Sequence, residues 1–233
     1  IYQCDWSSDV CSSDLASDFK QNISVIDRNI SKLMRTWAGN DIFSDTNAST
    51  VPAHIDGGLG LDTSCYSKTY SGYRILKNTD GSWGITGSNI SDTLVNIERL
   101  KFADNSLAID ISGNAGTATK VLGAVFGKNS VKNKEYVGIG LDLLDKGMSY
   151  ESLAGLALSA AKATSNDQIV TALWTNVVGT APTSSDKAPF IKMLTDGMAP
   201  GALARLAAET TINAVNINLT GLSQTGIEYT PVA

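Results

Sequence analysis

The residues of this chain best suited to holding a metal ion lie in one glycine-rich segment, Asp56-Gly57-Gly58-Leu59-Gly60-Leu61-Asp62-Thr63. Glycine allows the backbone to turn tightly and to aim carbonyl oxygens at one point, and aspartate adds a charged oxygen. Ca²⁺ takes roughly six to eight oxygen ligands of this kind. We therefore expect a calcium site that uses Asp56, Gly57, Gly60 and Asp62.

A weaker copy of the same pattern precedes this segment. Ala38-Gly39-Asn40-Asp41-Ile42-Phe43 keeps one glycine and the aspartate, and Asp41 lies 21 positions before Asp62. The pattern Gly-Gly-x-Gly-x-Asp is typical of calcium repeats in parallel β-rolls, where two nine-residue repeats would separate the aspartates by about 18 positions. We include Asp41 in the predicted site. The alternative is a glycine-rich turn in which the aspartate only caps the backbone.

No other residues form a recognisable catalytic group. His54 stands alone after Pro52 and Ala53, and Cys65 follows the glycine-rich turn in a predicted strand. The sequence holds no Gly-x-Ser-x-Gly segment, phosphate-binding loop or zinc-protease motif. We therefore predict that this chain is not an enzyme.

Composition narrows the function classes. The chain has 233 residues, of which 42% are hydrophobic and 18% charged, with a net charge of −5. No apolar run reaches the roughly 18 to 20 residues of a membrane span, and lysine and arginine form no basic patch. We expect neither a membrane span nor nucleic-acid binding.

The first 15 residues are a separate problem. Cys4–Leu15 back-translates into a codon string that resembles a common sequencing adapter, and we expect residues 1–15 to be an artefact. Without them Cys65 is the single cysteine, so no intrachain disulfide is possible. We then expect the credible sequence to lack its true N-terminus.

Two zones follow, with different spacing of apolar residues. Over residues 16–110, short apolar stretches alternate with polar turns, and Asp80-Gly81 between two such stretches predicts a β-hairpin. Leu94, Ile97, Leu100 and Phe102 are expected to point inward, and Leu107 and Ile109 predict a further short strand.

Over residues 111–233 the apolar spacing becomes helical. Ser165 with Gln168 predicts a capping box at a helix start, and Gly147 and Gly197 each predict a helix end. Leu144, Gly147, Met148 and Leu153 recur 50 positions later in the chain. We predict an α+β chain, with a short β-roll and β-hairpin region followed by an all-helical domain made of two repeats.

These segments resemble known families. Asp92–Asp104 resembles the segment that follows RTX (haemolysin-type) calcium repeats in secreted bacterial proteins. Ile109–Gly116 and Thr225–Pro231 are similar to the entry and ending of a helical module, the domain-of-unknown-function family forty-two-fourteen, also described as phycobilisome-linker-like. The helical repeats of that family usually carry an Arg-x-Pro-Asp loop and a Tyr-Trp pair, which this chain has largely lost.

The resemblance implies a location and partners. RTX-type proteins are exported by type I secretion machinery, so it implies an extracellular or cell-surface protein that binds calcium and whose helical domain contacts a protein partner. The alternative is the C-terminal tail of an exported hydrolase, a protease or lipase, whose catalytic domain lies upstream. A catalytic motif in the upstream sequence would favour that alternative.

Overall fold

A computed structural model describes residues 25–27, 33–35, 38–44, 52–87 and 90–232, and the predicted adapter segment lies outside these ranges. The chain forms two compact units, residues 1–105 and residues 106–233. Strands dominate the first unit and helices the second, so the predicted α+β class is confirmed.

The first unit contains nine described strands. In chain order they are β1 (Val25–Asp27), β2 (Leu33–Arg35), β3 (Ile42–Ser44), β4 (His54–Asp56), β5 (Thr63–Cys65), β6 (Arg74–Lys77), β7 (Trp83–Gly87), β8 (Ile90–Val95) and β9 (Arg99–Lys101). A short 3-10 turn, Tyr70–Gly72, precedes β6.

The strands of the first unit coil into a parallel β-roll. β1, β3, β5 and β9 pair in parallel in one sheet, while β2, β4 and β8 pair in parallel in the other. The chain alternates between the two sheets, so each turn of the coil stacks on the previous one. Residues 21 positions apart stand side by side on β3 and β5, as Ile42 does with Thr63.

An antiparallel hairpin extends the second sheet. β6 pairs with β7, and β7 pairs with β8. The turn contains Gly81 at φ +90°, a conformation that glycine adopts at little cost, and the Asp80 carboxylate accepts the backbone N–H of Ser82 at 3.0 Å. This confirms the hairpin predicted from Asp80-Gly81.

Apolar side chains fill the space between the two sheets. Phe43, Ile55, Leu94 and Leu100 have no exposed surface. Strand side chains alternate between faces, so the central residues of β3, β4 and β9 (Phe43, Ile55 and Leu100) enter this core. The four residues expected to point inward, Leu94, Ile97, Leu100 and Phe102, are all buried.

The second unit contains eight helices. They are α1 (Asn114–Phe126), α2 (Lys134–Asp145), α3 (Tyr150–Ala160), α4 (Asn166–Val178), α5 (Ser184–Thr195), α6 (Pro200–Ala208), α7 (Thr211–Asn216) and α8 (Leu219–Thr225). A 3-10 turn, Lys128–Lys132, joins α1 to α2.

The first six helices form two copies of one three-helix motif. α1, α2 and α3 correspond in order to α4, α5 and α6, as the internal repeat predicts. Gly147 and Gly197 follow the second helix of each copy at φ +92° and +104°, where a side chain would be strained. Ser165 and Gln168 form the predicted capping box at the start of α4.

The second unit also contains a hairpin. β10 (Ser106–Ala108) leads into α1, and β11 (Ile227–Tyr229), after α8, pairs with it in antiparallel fashion. The first of these strands was expected from Leu107, but nothing in the sequence predicts that the far end of the chain returns to it. The second unit is therefore helical apart from this pair of strands.

Candidate functional site

The predicted metal residues lie at one corner of the β-roll, where the chain passes from the second sheet to the first. Asp41, Asp62 and Glu98 each stand immediately before a strand of the first sheet. Those three strands, β3, β5 and β9, are neighbours in parallel register. The three acidic residues therefore occupy the same position in successive turns.

Hydrogen bonds join these acids into a ladder. The backbone N–H of Asp41 donates to Oδ1 of Asp62 at 2.8 Å, and the backbone N–H of Asp62 donates to Oε2 of Glu98 at 2.8 Å. Each carboxylate thus accepts from the equivalent residue of the turn before it. The second carboxylate oxygen of Asp62, Oδ2, takes no part in this ladder.

That remaining oxygen has no hydrogen-bond partner. Asp62 has no exposed surface, and its Oδ2 atom is buried and unpaired; the same is true of Oδ2 of Asp41, on a half-buried residue. An unpaired buried carboxylate oxygen is costly, because the energy of its hydration is lost without replacement. Two such atoms lie one turn apart at this corner, and a cation is one kind of partner that could compensate both.

Two glycines make room for this arrangement. A Cβ atom on Gly60 would lie 1.9 Å from the carbonyl oxygen of Gly39 in the preceding turn. A Cβ atom on Gly57 would lie 2.6 Å from Oδ2 of Asp62 and 2.2 Å from the carbonyl oxygen of Asn96. Both positions therefore require glycine for close approach, and Gly57 packs directly against two oxygen atoms.

Asp56 occupies a different place from the other acids. It is buried at the end of β4, and its Oδ1 accepts the backbone N–H of Gly58 at 3.2 Å and the Nδ2 group of Asn96 at 2.8 Å. This oxygen is therefore used to hold the loop between Asp56 and Asp62. The structure brings all five predicted residues to one corner, with distinct roles.

The carboxylates at this corner repel one another. The pKa of Asp62 is raised to about 7: burial raises it most, the hydrogen bond from the Asp41 N–H lowers it, and the nearby carboxylates of Glu98, Asp41 and Asp56 raise it. Without a cation, Asp62 therefore holds its proton close to neutral pH. A bound cation would favour the ionised form of this carboxyl.

The donor set fits a hard cation that accepts backbone oxygens. Across the described residues, no three side chains of His, Cys, Asp or Glu are arranged to hold a metal ion. Ca²⁺ also binds backbone carbonyl groups, which loops of this kind supply. The fit to calcium therefore rests on the unpaired oxygens of Asp41 and Asp62 and on the carbonyl oxygen facing Gly57.

The sequence search missed two residues of this corner, Glu98 and Asn96. Val95-Asn96-Ile97-Glu98 precedes β9 as Leu59-Gly60-Leu61-Asp62 precedes β5. Asn96 has φ +52°, a left-handed conformation that asparagine tolerates better than most residues. A pattern that allows Asn for Gly and Glu for Asp marks this third, shorter loop, but it does not show that the loop lies beside the glycine-rich one; the pairing of β5 with β9 does.

The two residues set aside in the search for a catalytic group both lie on strands of the β-roll. His54 is exposed on β4, and Cys65 is half-buried on β5, where Ser44 and Lys101 flank it in the sheet. The sequence around His54 predicts a solvent-facing loop, but the structure places His54 on a strand.

The helical unit carries two open apolar grooves. The larger, of about 410 Å³, lies among α4, α5, α6 and the start of α7, with Trp174 and Phe190 facing each other at 6.1 Å between ring centroids. The smaller, of about 200 Å³, lies among α1, α2 and α3. Leu206 in the first groove and Leu156 in the second are each about half exposed.

The two grooves are built from the same positions of the internal repeat. Nine residues of the larger groove correspond to nine of the smaller: Val170, Leu173, Trp174, Val178, Phe190, Leu203, Leu206, Ala207 and Thr210 match Ala118, Val121, Leu122, Phe126, Gly140, Leu153, Leu156, Ala157 and Ala160. Duplication of the helices therefore duplicated an apolar surface.

Among the described residues, no helix combines the length and the apolarity needed to cross a lipid bilayer. Comparison of the chain with protein-family models, with curated proteins and with solved structures gave no match.

Proposed function

We propose that this chain is a non-enzymatic, extracellular or cell-surface module of an RTX-like protein exported by type I secretion, and that its β-roll binds calcium at the corner formed by Asp41, Asp62 and the loop between Asp56 and Asp62. The observation that carries the proposal is the buried, unpaired Oδ2 of Asp62 beside a backbone carbonyl oxygen.

The expected affinity is low. The site offers few carboxylates, and the remaining ligands are neutral carbonyl groups. Calcium modules that work outside cells bind in the range of about 10⁻⁴ to 10⁻³ M. Such a site stays empty where calcium is scarce, as inside a cell, and fills where calcium is plentiful. This behaviour suits a protein that completes its folding after export.

Titration of the full chain with CaCl₂ tests this proposal. We expect one saturable binding process by isothermal titration calorimetry, with a dissociation constant near 10⁻³ M or below. Hydrogen exchange of residues 52–66 should slow in the same concentration range, since the cation links loops of successive turns. MgCl₂ is the matched control, because Mg²⁺ demands regular octahedral geometry and gives up its water reluctantly. Absence of saturation at 10⁻² M calcium, on the order of ten times that range, would exclude the site.

Export is tested separately with the same chain. In a bacterium that carries type I secretion machinery, the protein should appear in the medium, and retention inside the cell would contradict this part of the proposal.

The helical unit is the proposed surface for a protein partner. Its support is the pair of apolar grooves, each bordered by a half-exposed leucine, Leu206 or Leu156. Exposed apolar surfaces of this kind commonly mark binding sites. Because equivalent positions line both grooves, a partner with two similar apolar segments could occupy them together.

A further inference from the structure

Asn96 adopts a left-handed backbone conformation that most residues avoid. Its φ is +52°, and it is one of three residues other than glycine with positive φ in the described part of the chain. The loop it belongs to, between β8 and β9, is three residues shorter than the loop between β4 and β5. This loop therefore cannot repeat the glycine-rich pattern of its neighbour.

The side chain of Asn96 ties the short loop to the long one. Its Nδ2 group donates to Oδ1 of Asp56 at 2.8 Å, across 40 positions of sequence, and the same oxygen accepts the backbone N–H of Gly58. Because Asp56 is buried, water competes poorly for this hydrogen bond. It holds Asn96 in its left-handed conformation.

The backbone of Asn96 faces the predicted metal site. Although the residue is exposed, its carbonyl oxygen lies 2.2 Å from the point where a Cβ on Gly57 would stand, and Oδ2 of Asp62 lies 2.6 Å from that point. The neutral carbonyl oxygen and the unpaired carboxylate oxygen thus both lie against Gly57, within about 5 Å of each other, a separation that two ligands of one Ca²⁺ ion can have. These are the two kinds of oxygen that Ca²⁺ combines in proteins.

We propose that Asn96 supplies a carbonyl ligand to the calcium site and that Asp56 is a positioning residue, which holds this carbonyl in place through the Asn96 side chain. This assignment rests on the proposed calcium-binding function. The position of Asp56 in the glycine-rich pattern suggests a calcium ligand. In the structure, however, its Oδ1 accepts hydrogen bonds from Gly58 and Asn96 and so holds the loops.

Exchanging the two side chains tests the assignment. Asp56→Ala removes the acceptor of the bond between the loops and Asn96→Gly removes its donor, and Asn96→Gly keeps the left-handed conformation available. Each is expected to weaken calcium binding by about tenfold, the usual loss when a residue that orients a ligand is removed. The double variant Asp56→Asn with Asn96→Asp restores the bond with donor and acceptor exchanged and keeps the net charge. Its affinity should return to within roughly threefold of the original.

Matched controls lie in the hairpin turn of the same unit. Asp80→Ala and Asn78→Gly make the same chemical changes away from the corner, where Asn78 donates to Oγ of Ser82 at 2.9 Å, and they should leave calcium affinity unchanged. Unchanged affinity in Asp56→Ala and Asn96→Gly, with binding intact in the original chain, overturns this inference alone. Failure of the double variant to recover overturns the positioning role of Asp56. No binding by the original chain overturns the proposed function itself.

Discussion

Replacing Asp62 by Asn is expected to abolish calcium binding and, in the same variant, to stabilise the calcium-free β-roll. The two effects have one cause. Asp62 has no exposed surface, its Oδ2 has no partner, and Glu98, Asp41 and Asp56 place further negative charge nearby. The ionised form is therefore unfavourable until a cation arrives.

The sign of the pH dependence follows from the raised pKa. The carboxyl of Asp62 titrates at about 7 in the folded chain, against an ordinary value of 3.8. The folded state therefore binds this proton more tightly than the unfolded state. Its contribution to stability is complete below pH 3.8 and is lost as the pH rises to about 7. Above that pH, asparagine avoids a cost on the order of 4 kcal/mol, since each pKa unit corresponds to about 1.4 kcal/mol.

Hydrogen exchange of residues 52–66 at pH 8 in EDTA measures this effect directly. Protection should increase in Asp62→Asn. We expect the original chain to lose protection between pH 4 and pH 7, and the variant should not show this loss. Asn can still accept the N–H of Asp41. Asp104→Asn is the control, since Asp104 accepts the backbone N–H of Tyr70 at an exposed turn of the same unit. Lower protection in Asp62→Asn, or calcium binding as tight as in the original chain, would contradict this account.

Replacing Gly201 by Ala should destabilise the helical unit by about 3 kcal/mol, the upper part of the range for overpacking a close contact. Gly201 lies in the first turn of α6, where this helix crosses α3. A Cβ there would stand 2.1 Å from the carbonyl oxygen of Glu151 and 3.1 Å from the backbone nitrogen of Gly155. Both contacts are with backbone atoms, so the two helices must move apart.

Gly155→Ala is the matched control from the same crossing. A Cβ on Gly155 would be 3.8 Å from the nearest atom, an ordinary contact, and alanine favours the helix over glycine by about 1 kcal/mol. Urea unfolding followed by the helical circular dichroism signal should therefore give a lower midpoint for Gly201→Ala, and an equal or higher one for Gly155→Ala. Equal midpoints for the two variants would show that the crossing adapts without cost.

Local stereochemistry was enough to predict several elements. Asp80-Gly81 specifies a hairpin turn because glycine accepts positive φ, and Gly147 and Gly197 end helices for the same reason. Ser165 with Gln168 begins α4, since each side chain satisfies a backbone group of the other. Each of these signals involves residues within about four positions of one another, so the amino-acid sequence contains all the information needed.

The candidate site needed the tertiary structure. Glycines and aspartates at Gly57, Gly60, Asp41 and Asp62 indicated the chemistry, but Glu98 enters only because β5 and β9 pair across 36 positions. The register of parallel strands depends on the lengths of loops that bring distant segments together, and no local pattern encodes it.

The amino-acid sequence by itself therefore determined the glycine-rich loop with its aspartates, the strand-then-helix order and the duplication of the helices. Only the tertiary structure decided that Asp56 binds Asn96, that Oδ2 of Asp62 is left unpaired, and that β11 returns to β10. The reason is physical: turns and caps depend on neighbouring residues, whereas burial and an unsatisfied charge depend on what the rest of the chain places around them.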